Sequence, residues 1–390
     1  MAKTFDAIVI GLGAMGSAAL YQLAKKGNKV LGLDQFSPPH IYGSTHGETR
    51  VTRLAIGEGS HYTPLVQRTH ELWREIERET GKSLLTTNGG LILSSRARTS
   101  INHVAHFFKN TIEAAIEHGI AHELLDAESI RKRFPQFKIK DNELGYFEKD
   151  AGFVRPEECV SAQLGLAQKY GAEIRMNEKV MDYNAGRDVL VKTEQHTYTA
   201  EKLVITAGPW VPELIDAEYS RHFKVLRQAL FWFDIEKSFD HFTPDKFPIF
   251  IWELQDNRQG IYGFPAIHGP QRGLKIASEQ YEITTTPHTV DRKVSQKEIR
   301  DMYEELVEPH ISEVAPKCIK AASCLYTVTP DAGFVIDFHP KHQNVIIASP
   351  CSGHGFKHSA AIGELLSELV MEGKSRFDIS KFRLNRDFRG

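Results

Sequence analysis

The chain has 390 residues, with 48 Lys and Arg against 50 Asp and Glu and a net charge of −2. Hydrophobic residues make up 41% and charged residues 25%, an ordinary globular balance in a chain long enough for two or three domains. That balance excludes a basic nucleic-acid surface, no apolar run approaches the ~20 residues of a membrane helix, and four cysteines without C-x-x-C spacing make no disulfide framework.

A reducing compartment, the cytoplasm, is the expectation. The apolar run at the start is too short for a signal-peptide core. The last residues, Asp387-Phe388-Arg389-Gly390, are not a peroxisomal address.

Phe5 to Ile10 reads as a strand, and Gly11-Leu12-Gly13-Ala14-Met15-Gly16 follows with no spacer. A helical pattern from Ser17 to Lys26 ends at Gly27, and a second apolar run, Lys29 to Leu33, stops at Asp34. Strand, glycine turn, helix, strand and acid together are the pattern that binds an ADP moiety. Gly11 permits the tight turn, Gly13 lets the backbone approach a pyrophosphate, Gly16 lets helix pack on strand, and Asp34 accepts from ribose hydroxyls. The helix N-terminus turns its partial positive charge to the phosphates. A plain glycine-rich turn is the competing interpretation.

Residues 35–49 form a long loop rich in Pro, Gly, Ser, Thr and His, of a length that is often functional. Tyr62 to Thr80 reads as a helix with Leu65, Leu72, Trp73 and Ile76 on one face. Leu84 to Ser94 is strand-like, broken at Gly89-Gly90. Ser100 to His118 and Asp126 to Phe134 read as helices, Gly145 to Gly152 as extended, and Pro156 to Tyr170 as a helix with Pro156 suited to its first turn. Ala172 to Met176 is a strand. Lys179 to Tyr183, Val189 to Thr193 and Thr197 to Ala200 read as an antiparallel meander. Leu203 to Gly208 reads as a separate strand buried on both faces, with Ala207 and Gly208 allowing close approach to a ligand.

From Phe223 to about Lys320, aromatic-rich runs (Ala229 to Phe233, Phe247 to Trp252, Gly260 to Phe264) indicate an antiparallel sheet carrying a pocket, and Ser295 to Val307 a helix. Gly333 to Asp337 and Asn344 to Ala348 are strands. Ser352-Gly353-His354-Gly355 is a second glycine turn, and a helix runs from Phe356 to Met371.

These motifs resemble one family. Gly11 to Gly16, Pro38-Pro39-His40, Gly43 to Arg50, Arg53, Gly57-Glu58-Gly59, Gly263-Phe264-Pro265, Cys324-Leu325-Tyr326 and Ser352 to Lys357 are similar, in order and almost end to end, to the monomeric sarcosine oxidase and N-methyltryptophan oxidase group. These are FAD-dependent amine oxidases of the D-amino-acid-oxidase-like superfamily. The resemblance implies an α/β fold: a Rossmann-like FAD-binding domain (1–90, 150–220 and 322–390) with an inserted, mainly antiparallel β-sheet substrate domain (91–149 and 221–321), as in glutathione-reductase/DAO-type flavoproteins. It implies oxidation of a secondary amine of a small amino acid, such as sarcosine, to an imine that hydrolyses, with O2 reduced to hydrogen peroxide. It also implies a monomer that uses neither metal, membrane nor nucleic acid.

The resemblance assigns Arg53 and Lys357 to the substrate carboxylate, which suits a bidentate guanidinium and an ammonium. It assigns Lys275, with Arg50 and His46, to the catalytic surroundings of the flavin, Lys275 as the charge that activates oxygen. Tyr262, Tyr326 and Glu279 fall in the substrate pocket, although each tyrosine also suits a core. Ser44, Thr45, Gly353, Gly355, Phe356 and Lys357 fall at the cofactor, and Cys324 matches the cysteine that carries FAD covalently. A lone cysteine is otherwise an inert buried thiol, and Lys275 and His46 otherwise suit a surface and a loop.

Three positions depart from the pattern. Ile56 replaces a polar residue and Glu279 a histidine, both expected at the pocket, and Cys351 replaces a smaller or aliphatic residue. The first two leave amine oxidation credible and put the identity of the amine in doubt. A cyclic imino acid (pipecolate or proline) and an acceptor other than oxygen remain open, and an FAD-dependent tRNA-modifying enzyme is disfavoured by the charge.

Overall fold

The computed structural model describes residues 4–95, 104–255, 260–269 and 273–388. The beginning of the helix expected over Ser100 to His118 lies outside them; among the described residues the helix starts only at Phe107, after His106 in the left-handed region, and runs over Phe107–Glu117.

The strand Thr4–Ile10 lies at the centre of a sheet that comprises, among the described residues, eight strands. It pairs in parallel with Val30–Asp34 on one side and Thr197–Ile205 on the other. The helix Ala14–Lys25 packs against the helices Ser359–Glu372 and Pro156–Lys169. The close approach of the first two depends on Gly363, where a Cβ would lie 2.4 Å from that of Ala18. Val9, Leu20, Leu365 and Leu366 fill this side of the sheet. Ile8, Ile10, Leu31 and Leu33 fill the other. Burial of each such Leu or Ile side chain contributes about 1.5–3 kcal/mol. Two-sided burial is why these strands read as continuous apolar runs.

Thr197–Ile205 is one strand where the sequence reads two. Its first half pairs antiparallel with Val189–Thr193 and its second half pairs in parallel with Thr4–Ile10 and His342–Ser349. Glu201 and Lys202 look like a break in the apolar pattern, but the backbone ladder continues through them. Val335–His339 and His342–Ser349 form a hairpin on this sheet.

The second sheet comprises nine strands among the described residues and is antiparallel apart from the parallel pair Ile249–Trp252 and Gly90–Ser95. Its longest members are Lys224–Ile235 and Val314–Val328, paired along most of their lengths. Val314–Val328 is absent from the sequence reading because Lys317, Lys320 and two cysteines interrupt its alternation. The expected helix Ser295 to Val307 is an α-helix over Gln296–Asp301 that widens to a π-helix over Met302–Val307. A small third sheet, Arg50–Thr52, Gly152–Val154 and Leu85–Thr87, carries Arg50 and leads into Arg53. There a Cβ on Gly152 would lie 1.9 Å from the Thr86 carbonyl oxygen, so only glycine fits. No helix among the described residues is long and apolar enough to cross a membrane.

Candidate active site

Both glycine turns line one cavity of about 280 Å³. Gly11 has a φ of +85°, and a Cβ there would lie 2.7 Å from the Thr206 carbonyl oxygen; a Cβ on Gly16 would lie 1.7 Å from the Gly11 oxygen. Gly16 therefore packs the helix onto the turn and does not face the cavity. Gly13 caps the helix Ala14–Lys25 without a side chain of its own, Thr45 Oγ1 accepts from Ala14 N at 3.4 Å, and the first turn carries no acid, so its positive end suits an anion. Asp34 accepts from Leu12 N at 2.7 Å and Phe36 N at 2.8 Å. The carboxylate thus ties turn to strand, and it also lines the cavity. Burial raises its pKa, against the pull of those two amides and His40. Ser44, Thr45, Ala207, Gly208, Gly353, Gly355 and Phe356 share the wall. So do Trp210 and Ser349, whose Nε1 and Oγ are buried without a partner.

The loop at 35–49 is fastened to the helix Pro156–Lys169 and to the second sheet. Glu157 accepts from Gly47 N at 2.6 Å and Glu48 N at 3.1 Å. Glu48 accepts from Trp232 Nε1 at 2.8 Å and Lys320 Nζ at 2.7 Å. Arg50 donates to the carbonyl oxygens of Thr49 at 2.8 Å and Ser44 at 2.7 Å. Beyond Arg53 the buried Glu148 accepts from Leu54 N at 2.6 Å and Ala55 N at 3.1 Å. These anchors, with the short strand Arg50–Thr52, hold Arg50 and Arg53 in place.

A second cavity, of about 90 Å³, shares Arg50, Tyr326, Gly353 and Phe356 with the first. In its wall Arg53 and Lys357, 2% and 4% exposed, flank Glu58. Arg53 donates to Glu58 Oε2 at 2.5 Å, and Lys357 Nζ lies 3.4 Å from Oε1. Lys357 also donates to the His354 carbonyl oxygen at 2.7 Å, leaving one ammonium N–H, and Arg53 Nε is buried without an acceptor. Two cations sharing one anion leave one net positive charge, complementary to a carboxylate. Burial lowers the Lys357 pKa to about 8, against the pull of Glu58. Glu279 lines the same cavity and accepts from Tyr326 Oη at 3.0 Å and Tyr281 Oη at 2.9 Å. Tyr262, Phe107 and Phe264 make the rest of the wall aromatic.

The structure brings Arg50, Arg53, Lys357, Tyr262, Tyr326 and Glu279 together. Lys357 belongs to the second cavity and not to the first. Lys275 lines neither; it is buried behind the loop and donates to Gly47 O at 2.7 Å, Thr49 O at 2.9 Å and Thr49 Oγ1 at 3.2 Å. Burial and Arg50 push its pKa well below the ordinary lysine value, while three acceptors match the three N–H groups of the charged form. His46 is buried too, its pKa lowered to about 3 by burial, Arg50 and Lys275, so its ring is neutral. Cys324 is buried among Leu226, Leu230 and Trp232 and reaches neither cavity wall. Ile56, expected at the pocket, is instead fully buried in the core beneath the first sheet. Cys351 lines the first cavity.

Sequence reasoning missed Glu58 and Tyr281. Glu58 was visible only as part of Gly57-Glu58-Gly59, and its partner Lys357 lies 299 residues away. Tyr281, two residues from Glu279, offered only that short spacing as a signal.

A family model described as FAD dependent oxidoreductase matches residues 6–369. Monomeric sarcosine oxidase of Streptomyces avermitilis is 39% identical over 388 residues, which cover 98% of this chain and 97% of that protein. N-methyl-L-tryptophan oxidase of Escherichia coli is 33% identical over 386 residues, 98% of this chain and 99% of that protein. Among solved structures, NikD, an unusual amino acid oxidase essential for nikkomycin biosynthesis, superposes with a TM-score of 0.84 at 22% identity, covering 98% of this chain and 97% of that one; at that identity the likeness shows the fold. With the family model spanning nearly the whole chain and relatives above 30% identity along their full length, the chain belongs to the FAD-dependent oxidoreductases of the DAO family.

Proposed function

We propose that this protein oxidises the secondary amine of a small N-methyl amino acid to an imine, which hydrolyses, while O2 is reduced to hydrogen peroxide. The names of its relatives support this. The observation that carries it is the Arg53–Glu58–Lys357 cluster, a buried net positive charge in an aromatic cavity that shares four residues with the glycine-turn cavity.

The first cavity fits FAD. Gly11, Gly13 and the helix behind them suit the pyrophosphate, Asp34 the ribose, and the second glycine turn with Arg50 the far end. The orphaned Trp210 Nε1 and Ser349 Oγ match a polar ligand. When bound, FAD supplies a two-electron acceptor for the C–H bond beside the substrate nitrogen and passes the electrons to O2. Arg53 and Lys357 bind the substrate carboxylate and so orient the amine, with Glu58 fixing both cations. The aromatic wall excludes water and favours the neutral amine, the form that reacts. Lys275 holds positive charge where reduction of oxygen develops negative charge.

We assign the covalent link to FAD to Cys324, which lies behind the wall of the first cavity, two residues along the same strand from Tyr326 in that wall. Burial raises its thiol, but Arg50 and Lys275 pull it toward the thiolate. We divide the chain into an FAD-binding part (1–90, 150–220 and 322–390) and a substrate part (91–149 and 221–321), with the strand Val314–Val328 crossing the last boundary. Peroxide release and oxygen uptake with sarcosine test the proposal; oxidation of sarcosine with a dye but never with O2 would overturn the oxidase assignment.

A further inference from the structure

We propose that Phe107 limits the size of the side chain that this protein accepts on the α-carbon of its substrate, confining it to N-methyl amino acids that carry hydrogen or a short alkyl group there. This rests on the amine-oxidation reading above and specifies its substrate class.

Phe107 opens the helix Phe107–Glu117. Its ring lies over the Arg53 guanidinium, with Arg53 Cζ 5.0 Å from the ring centre, close enough for cation–π attraction. The same ring is pressed against the segment that carries Glu58. A Cβ on Gly57 would lie 2.8 Å from Phe107 Cδ2 and 2.7 Å from the Phe107 carbonyl oxygen, so glycine alone permits this approach. Two side chains of the helix fasten it to that segment: Asn110 Nδ2 donates to Gly57 O at 3.2 Å, and His118 Nε2 donates to Ser60 O at 3.1 Å. Phe107 is 2% exposed and packs with Ile251, and both line the second cavity. The ring is therefore a fixed wall, because a close-packed surround leaves it nowhere to swing.

The place of this wall decides which part of the substrate it meets. A carboxylate bound to Arg53 lies beside the Phe107 ring. The atom bonded to that carboxylate is the α-carbon, so its substituent faces the apolar corner of Phe107 and Ile251. The amine extends the other way, toward Tyr326, Gly353 and Phe356, which the second cavity shares with the first. Room is short. A cavity of about 90 Å³ admits roughly six to nine water-sized groups at about 10–15 Å³ each. Sarcosine fits with a little space to spare, which a methyl or similar group can use. A benzyl or indolyl side chain would have to displace Phe107, and overfilling a packed wall is unfavourable.

The test uses the FAD-loaded protein and compares kcat/KM for sarcosine, N-methylalanine and N-methylphenylalanine. In the unaltered protein N-methylphenylalanine should fall at least about tenfold below sarcosine. Phe107→Ala should raise the ratio of N-methylphenylalanine to sarcosine at least about tenfold. The KM for sarcosine should rise in that variant, because Arg53 loses the ring that lies over it. Phe107→Trp should act in the opposite sense and lower the ratio of N-methylalanine to sarcosine. Opposite shifts at one position are not what a general loosening of the fold produces. Phe107→Leu should move the ratio in the same direction as Phe107→Ala, and it stands in if the alanine variant fails to fold. N-methylphenylalanine oxidised as well as sarcosine by the unaltered protein, or a side-chain ranking that none of these substitutions moves, would overturn the proposal. The two readings fail separately: sarcosine that reduces the flavin with an unmoved ranking removes only the role of Phe107, whereas flavin left oxidised by every secondary amine removes the function itself.

Discussion

Lys357 should give carboxylate binding a pH dependence of its own. Its ammonium donates to His354 O and lies beside Glu58, and the remaining N–H is the one available to a ligand carboxylate. Burial has lowered its pKa to about 8. The charged form therefore predominates below that pH and is lost above it, so affinity should be highest below about 8 and fall as pH rises. One unit above its pKa about a tenth of a group remains protonated, and affinity should fall about tenfold. The fall is limited by what the bond contributes, about 1.5–3 kcal/mol for a charged pair or roughly 10- to 150-fold. The tyrosines of the cavity do not mimic this, since Tyr262, Tyr281 and Tyr326 are all shifted upward by burial. The assay is calorimetric titration of the FAD-loaded protein with propanoate, which has no amine to titrate, from about pH 6.5 to 9.5. Lys357→Met should bind roughly 10- to 150-fold more weakly at the acid end and show no decline toward the alkaline end. Unchanged affinity across the range in the unaltered protein, or the same decline in the variant, would refute the assignment.

Arg53→Ala should raise KM at least about tenfold with FAD retained, and should lower the melting temperature because Glu58 loses its closest cation; loss of FAD instead would place Arg53 at the cofactor. Lys275→Met should slow reoxidation of the reduced enzyme by O2 far more than its reduction by substrate, and stopped-flow measurement of both half-reactions would expose an equal effect. Cys324→Ser should release FAD into the supernatant on acid precipitation, whereas the unaltered protein should pellet yellow; release from both would remove the covalent assignment.

The opening motif was legible because every part of it is local: six residues set the turn, and the apolar runs on either side mark strands buried on two faces. The helix Thr63–Thr80 was legible for the same reason, with Leu65, Leu72, Trp73 and Ile76 all buried. Val314–Val328 was not, because its ladder with Lys224–Ile235 outweighs a polar pattern that does not alternate. The cation pair was assigned through resemblance to a family. The acid between them was not assigned, since nothing in the local pattern tells a buried Glu58 from a solvated one until Lys357 comes beside it. Ile56 shows the converse. A position three residues after Arg53 was expected at the pocket, but the backbone, turned by Glu148, directs the side chain into the core.

The most direct measurement is anaerobic titration of the yellow protein with sarcosine and other N-methyl amino acids while the oxidised-flavin absorbance is followed. At least one of them should bleach it stoichiometrically. Bleaching by dithionite but by no secondary amine would contradict the proposed function.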